Sequence, residues 1–192
     1  MRIILDGMGG DNAPGAVVEG AVLASEVIEH EIVIIGQEEL INHELKRHKY
    51  NHKKITVADA REVITNEEAP VRAVRSKKDS SIVKGINMVK SGEGDIFISA
   101  GSTGALLSGG LFILGRIQGI DRPALACIYP IIGGEASLLV DAGANAECKP
   151  NNLLEFGIMG NIYMEKVIGR KTPRVGLVNI GTEAAKGNTL TK

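Results

Sequence analysis

Tryptophan is absent from the 192 residues and aromatic side chains make up 3% of them, so the sequence offers no row of rings on which nucleic-acid bases could stack. Neither sign of charge dominates: 22 lysines and arginines stand against 23 aspartates and glutamates, a net charge of −1. Arg75-Ser76-Lys77-Lys78 is locally basic and reads as a solvated helix end. No long basic run is present to neutralise a polyanion, so nucleic acid is not an expected partner. Cysteine occurs twice, Cys127 inside an apolar run and Cys148 beside Lys149, without CxxC spacing. That usage fits a reducing cytoplasm, with Cys127 expected as a core thiol. Long apolar runs are missing too. Met1–Asp6 reaches a carboxylate too early for a signal peptide, and the run Ala105–Leu114, broken by Gly109-Gly110, is far short of the ~20 residues of a membrane-spanning helix.

Several familiar site motifs are also absent. No Gly-x-x-x-x-Gly-Lys-Ser/Thr occurs, and Gly7-Met8-Gly9-Gly10 lacks the later glycine of the dinucleotide fingerprint, which removes support for ATP and NAD. No Gly-x-Ser-x-Gly elbow is found, and His30, His43, His48 and His52 all fall in one polar early stretch, so serine–histidine and cysteine–histidine mechanisms are poorly served. His48 and His52 have the spacing of a helical metal pair, but no third ligand is evident. No metal and no cofactor are expected.

What is present is alternation. Short β-branched runs at Arg2–Leu5, Glu31–Ile35, Ile55–Ala58, Asp95–Ser99, Ala124–Tyr129, Ala136–Val140 and Arg174–Ile180 predict strands. Between them, helical patterns follow Pro14 (Ala16 to Ile28), run Glu38–Lys46 and begin again near Glu67, with an interruption at Pro70. Others span Ser81–Lys90, ending at Ser91-Gly92, then Gly104–Leu114 and Asn152 to about Ile168. This is the pattern of βαβ units and a mostly parallel sheet, in one α/β domain over residues 1–192. Gly104–Leu114 is small and apolar on every face and is expected to be buried. Pro130-Ile131-Ile132-Gly133-Gly134 leaves a hairpin and a longer excursion equally open.

Four loops share one design, in which a strand ends and small, polar residues follow. They are Asp6-Gly7-Met8-Gly9-Gly10-Asp11-Asn12, Ser99-Ala100-Gly101-Ser102-Thr103-Gly104, Asp141-Ala142-Gly143-Ala144-Asn145 and Gly181-Thr182-Glu183-Ala184-Ala185-Lys186-Gly187-Asn188. In a parallel sheet such loops emerge at the carboxyl edge, where open α/β folds place their ligands. Glycine lets backbone come close to a ligand, and helix-first-turn N–H groups favour an anion, so phosphate is the natural ligand. Asn12, Ser99, Ser102, Thr103, Asn145 and Asn188 could add side-chain donors, and Lys186 a full positive charge. Any one of these loops alone is ordinarily a tight turn; four together point to a site. Asp6 and Asp141, at strand ends, read as loop braces.

The ordered set Leu5 to Pro14 (LDGMGGDNAP), Ser99 to Ala105 (SAGSTGA), Leu139 to Asn145 (LVDAGAN) and Asn179-Ile180-Gly181-Thr182-Glu183 with Lys186-Gly187-Asn188 closely resembles the bacterial PlsX family of phosphate acyltransferases. Arg116 to Pro123 (RIQGIDRP) looks like that family's segment after the buried helix. The likeness runs the whole length, and since family members are considerably longer, the chain is expected to be the amino-terminal portion of one. Gly7 stands where alanine is common in the family and Ser102 where asparagine is common; the second replaces an amide by a hydroxyl.

The resemblance implies a three-layer α/β/α fold with a mostly parallel sheet, similar to phosphotransacetylases and isocitrate dehydrogenases. It implies an acyltransferase that moves a fatty acyl group from acyl-carrier protein to inorganic phosphate, giving acyl phosphate for phospholipid synthesis. A cytoplasmic homodimer with peripheral membrane association through the further part is implied as well. On that footing Asp6, Gly7, Gly9, Gly10, Asn12, Ser99, Gly101, Ser102, Thr103, Gly104, Asp141 and Gly181 are expected to hold phosphate, while Lys186, with Asn145 or Asn188, stabilises the tetrahedral oxyanion. The alternatives are a short-chain phosphotransacetylase-like enzyme and a non-catalytic fragment that binds anions or acyl-carrier protein. A nicotinamide dehydrogenase ranks third.

Overall fold

The computed structural model describes residues 1–183 and 185–192. Where the sequence suggests one domain, the chain divides by its contacts into two compact units, Met1–Gly115 and Arg116–Lys192, and each is described by itself.

The first unit runs β1 (Arg2–Asp6), α1 (Gly15–Val27), β2 (Glu31–Gly36), α2 (Glu38–Leu45), β3 (Ile55–Asp59), α3 (Pro70–Ser76), α4 (Ser81–Ser91), β4 (Ile96–Ile98) and α5 (Thr103–Gly109). Its strands form one all-parallel sheet in the order β3-β2-β1-β4. The apolar run of β2 is continuous because both of its faces are covered. Ile32 and Ile34 pack with Val18 and Val22 of α1 and Ile41 and Leu45 of α2 on one side. Val33 and Ile35 join Ile4, Ala60 and the Met88–Val89 end of α4 on the other. The result is three layers, helix on sheet on helix. Each fully buried isoleucine or valine contributes about 1.5–3 kcal/mol relative to exposure.

Local signals set the helix ends. Ser80 Oγ accepts a hydrogen bond from Val83 N (3.3 Å) to cap α4, and Gly92, at φ 79°, closes it in the left-handed conformation that favours glycine. Pro70 opens α3 rather than interrupting a helix, because proline at the first helical position lacks only an N–H that would be unpaired anyway. The expected burial of Gly104–Leu114 needs correction. Gly109 lets α5 press on Ile86, the chain passes through a π-helical turn at Gly110–Leu114, and only Ala105 and Gly109 are buried. So short an element can cover the α3–α4 cluster with one face only, and Phe112 and Leu114 stay half exposed.

The second unit contains β5 (Ala126–Pro130), β6 (Ala136–Val140) and α6 (Pro150–Lys166). The two strands are antiparallel, which decides for the hairpin. Its loop closes through Ile131 N donating to Glu135 O (3.0 Å), with Gly133 and Gly134 at φ 103° and 82°. Cys127 is half-buried, not a core thiol, because this two-stranded sheet leaves Ile128 and Leu139 exposed around it. The expected strand Arg174–Ile180 is not formed: among the described residues it has no ladder partner, and Val175, Leu177, Val178 and Ile180 are exposed. Without a neighbouring strand to take up its N–H and C=O groups, β propensity alone does not make a strand. No helix among the described residues is long and apolar enough to cross a membrane.

Candidate functional site

In the parallel sheet β1 and β4 are neighbours, so the loops that follow them leave the same edge side by side. One carboxylate ties them. Asp6, at the end of β1 and 1% exposed, accepts Met8 N on Oδ1 (3.0 Å) and the Ser99 hydroxyl on Oδ2 (2.7 Å). Ser99 Oγ in turn accepts Gly101 N (3.0 Å). The backbones then meet glycine to glycine: a Cβ at Gly9 would lie 2.8 Å from Gly101 N, and one at Gly101 would lie 3.2 Å from Gly9 Cα. Gly7 is buried against Ile34 and Ile41, and its N–H donates to Ile35 O (2.8 Å).

Asp6, Gly7, Gly9 and Ser99 are therefore the frame of this junction. Their polar groups and their missing side chains are used within the protein. Gly10, at φ 102° and partly exposed, and Asn12, exposed, form the open part of the first loop. On the second, the Ser102 hydroxyl caps α5 by accepting Ala105 N (3.3 Å), while Thr103 is exposed. A serine oxygen suffices for that capping role, whatever donors an asparagine would have added. The backbone N–H groups of Gly10, Asp11 and Asn12, and of Thr103 and Gly104, make no hydrogen bond to another described residue. Two adjoining loops thus present unpaired donors around a rigid, carboxylate-tied centre, an arrangement suited to an anion.

The remaining candidates belong to the second unit, and the common-edge expectation does not extend to them: β6 is antiparallel to β5, and no strand precedes Gly181. Asp141 braces its own loop. It accepts hydrogen bonds from Leu125 N (2.8 Å), Ala144 N (3.1 Å), Asn145 N (2.8 Å) and Asn145 Nδ2 (3.0 Å). Partial burial pushes its carboxyl up, but these four donors outweigh it and hold the group below the usual aspartate value. Asn145 Nδ2 also donates to Pro123 O (2.9 Å), so both of its amide protons are engaged. Asn188 is the opposite case: its Oδ1 accepts Leu190 N and Thr191 N, and its amide NH₂ has no acceptor among the described residues. Lys186 is exposed, with its backbone N–H on Glu183 O, and Gly181 lies close against the Glu183 and Lys186 side chains. Ala184 lies outside the described residues.

One arrangement goes beyond what the sequence suggested. The Arg116–Pro123 segment is pinned to α6: Glu155 Oε2 accepts Asp121 N (2.8 Å) and Asn152 Nδ2 donates to Asp121 Oδ2 (3.4 Å). Asn152 and Glu155 are three apart, on one helical face, and that spacing was the available signal.

A family model described as fatty acid synthesis protein matches residues 1–192. The chain belongs to that family. This agrees with the likeness of its loops to PlsX. Among curated relatives, the phosphate acyltransferase of Clostridioides difficile (strain 630) is 50% identical over 192 residues, covering all of this chain and 56% of that protein. The phosphate acyltransferase of Alkaliphilus oremlandii (strain OhILAs) is 56% identical over 192 residues, covering 57% of it. The chain thus spans less than two thirds of the length of these relatives. Its fold is that of a phosphotransacetylase from Streptococcus pyogenes, with a TM-score of 0.64 at 21% identity over 88% of this chain and 55% of that one. EutD phosphotransacetylase from Staphylococcus aureus gives 0.61 at 18% identity, over 85% and 52% respectively.

Proposed function

We propose that the protein, at the length of its relatives, is a phosphate acyltransferase that moves a fatty acyl group from acyl-carrier protein to inorganic phosphate, giving acyl phosphate for phospholipid synthesis. The observation that carries this reading is the junction of the Asp6–Asn12 and Ser99–Gly104 loops, with unpaired N–H groups on both sides of a buried carboxylate tie. The names of the curated relatives agree with it. In this reading the enzyme is a cytoplasmic homodimer, peripheral at the inner face of the membrane.

The chemistry asks for little beyond placement. Phosphate near neutral pH is already an anionic nucleophile and a thioester an activated acyl donor, so positioning and charge stabilisation are the main needs. A phosphate oxygen bonds to the carbonyl carbon and the carbonyl oxygen takes the negative charge. The oxyanion's electron pair then re-forms the carbonyl as the C–S bond breaks, and the bond's electrons leave on the carrier sulfur, which takes up a proton from water or from the phosphate's own O–H. Phosphate is held by the open backbone of Gly10–Asn12 and Thr103–Gly104, with Gly101 and Ser102 shaping the second loop. Lys186 and the free amide of Asn188 stabilise the oxyanion, while Asn145, its protons engaged, keeps the Asp141–Asn145 loop in shape.

The test is acyl-phosphate formation from hexadecanoyl-acyl-carrier protein and phosphate by a chain of the relatives' length. Lys186→Ala is expected to slow it about 100-fold or more, the usual cost of losing one oxyanion donor. Wild-type rates in that variant would contradict the assignment, and preference for acetyl over hexadecanoyl donors would favour a short-chain phosphotransacetylase.

A further inference from the structure

The outer face of α3 is cationic and borders the proposed phosphate loops. Residues 69–78 contain Arg72, Arg75, Lys77 and Lys78 and no carboxylate. Lys77 is turned inward, donating to Val63 O (2.6 Å) and pairing with Glu68 (2.7 Å). Arg72 and Arg75 are different: three residues apart on one helical face, both are exposed and neither forms an ion pair with another described residue. The Arg75 guanidinium lies over the Phe112 ring, 5.2 Å from its centroid, and Phe112 and Leu114 are each 49% exposed. Unpaired arginines around an aromatic and an aliphatic side chain are the composition of a binding hot spot, not of an ordinary solvated helix end.

The partner's chemistry follows from the charge. On a chain of net charge −1, a segment whose own exposed charges, Arg72, Arg75 and Lys78, are all cationic, with Glu68 taken up by Lys77, attracts an acidic surface and rejects a basic one. The place of the face narrows the choice further. Gly104, in the second loop, abuts Pro70 at the start of α3 so closely that a Cβ there would lie 2.7 Å from Pro70 Cγ. A protein seated on α3 is therefore immediate to that loop, as a carrier bringing a thioester to bound phosphate must be. We propose that the outer face of α3, with Arg72, Arg75 and the Phe112–Leu114 turn, docks an acidic face of the carrier protein that delivers the acyl group. The identity of the carrier rests on the proposed function; the cationic docking face does not.

The experiment titrates the 192-residue chain with hexadecanoyl-acyl-carrier protein by calorimetry, and separately with inorganic phosphate. Arg72→Glu/Arg75→Glu is expected to weaken carrier binding roughly tenfold or more at low salt and to leave phosphate binding unchanged. Wild-type binding is expected to fall as salt rises. Arg72→Gln/Arg75→Gln, which introduces no repulsion, is expected to give a smaller loss in the same direction and serves if the charge reversal fails to fold. Equal carrier affinity in wild type and variants, or no carrier binding by wild type, overturns the proposal. So does a loss confined to vesicles of phosphatidylglycerol, or to self-association of the chain. The two readings fail separately: phosphate bound without carrier defeats the docking face alone, and carrier bound through α3 without phosphate defeats the phosphate loops alone.

Discussion

The two units of this chain solve the same folding problem to different degrees. In Met1–Gly115 a four-stranded parallel sheet is covered on both faces, and apart from Phe156 and Met164 every buried apolar side chain of the described residues lies there. In Arg116–Lys192 the local elements are present, but Ile132, Leu154, Val178 and Ile180 are all more than half exposed. In the second unit hydrogen-bonded elements are present with few buried apolar side chains among the described residues. The difference reaches the candidate residues of each unit: in the first, the Asp6–Asn12 and Ser99–Gly104 loops are tied by a buried carboxylate, while in the second Lys186 and Asn188 sit in an exposed loop held mostly by its own hydrogen bonds.

The largest predicted effect exploits that contrast. Ile34→Ala, at a site with no exposed surface, is expected to cost about 2–5 kcal/mol, whereas Leu154→Ala, 62% exposed in the second unit, is expected to stay within about 0.5 kcal/mol. Urea unfolding of the two variants checks this, and comparable losses would erase the distinction between the units. Next comes Asp6→Ala, which strands Met8 N and the Ser99 hydroxyl in a partly buried place. About 2–3 kcal/mol is expected, with phosphate affinity falling too; Asp6→Ala with stability lost and phosphate binding intact would show the tie to be structural only. Gly9→Ala puts a methyl group against backbone, at 2.8 Å from Gly101 N, where no side chain can yield. It is expected to cost about 1–3 kcal/mol and to separate the loops, read as weakened phosphate binding in an otherwise folded protein.

The smallest effect is on pH. Asp141 is held below its usual value of 3.8, so its contribution is fully present well above that value, declines as the pH approaches it and is lost as the pH falls through the lowered folded-state value. The stability difference between wild type and Asp141→Asn is therefore expected to be constant from neutral pH down to about 5 and to shrink in more acid solution. Urea midpoints of the two proteins across that range supply the check, and a gap that widens in acid would contradict it.

How much was legible in the sequence follows the same division. The strands and helices of the first unit could be read because β-branched runs and apolar stripes there coincide with a closed core, as at Ile32–Ile35 and Val18–Val22. Arg174–Ile180 carries the same signal but lacks a paired neighbour, and pairing is a long-range fact that no local pattern contains. Glycine spacing marked the two loops that meet at the Asp6–Ser99 tie but not the division of labour within them. Gly9 and Gly101 are glycines because two backbones touch, Ser99 because Asp6 needs a donor, and Asn145 because Asp141 and Pro123 take its protons. Each reason depends on a residue far away in sequence or on which partner a side chain picks, and spacing encodes neither.

The measurement that bears most directly on the central claim is a titration of the chain with inorganic phosphate, followed by its backbone amide resonances. The resonances of Gly10, Asp11, Asn12, Thr103 and Gly104 are expected to shift together and saturably, with one dissociation constant. Saturable binding that leaves those five amides unmoved, or shifts that never saturate, would contradict a phosphate site at the junction of the two loops.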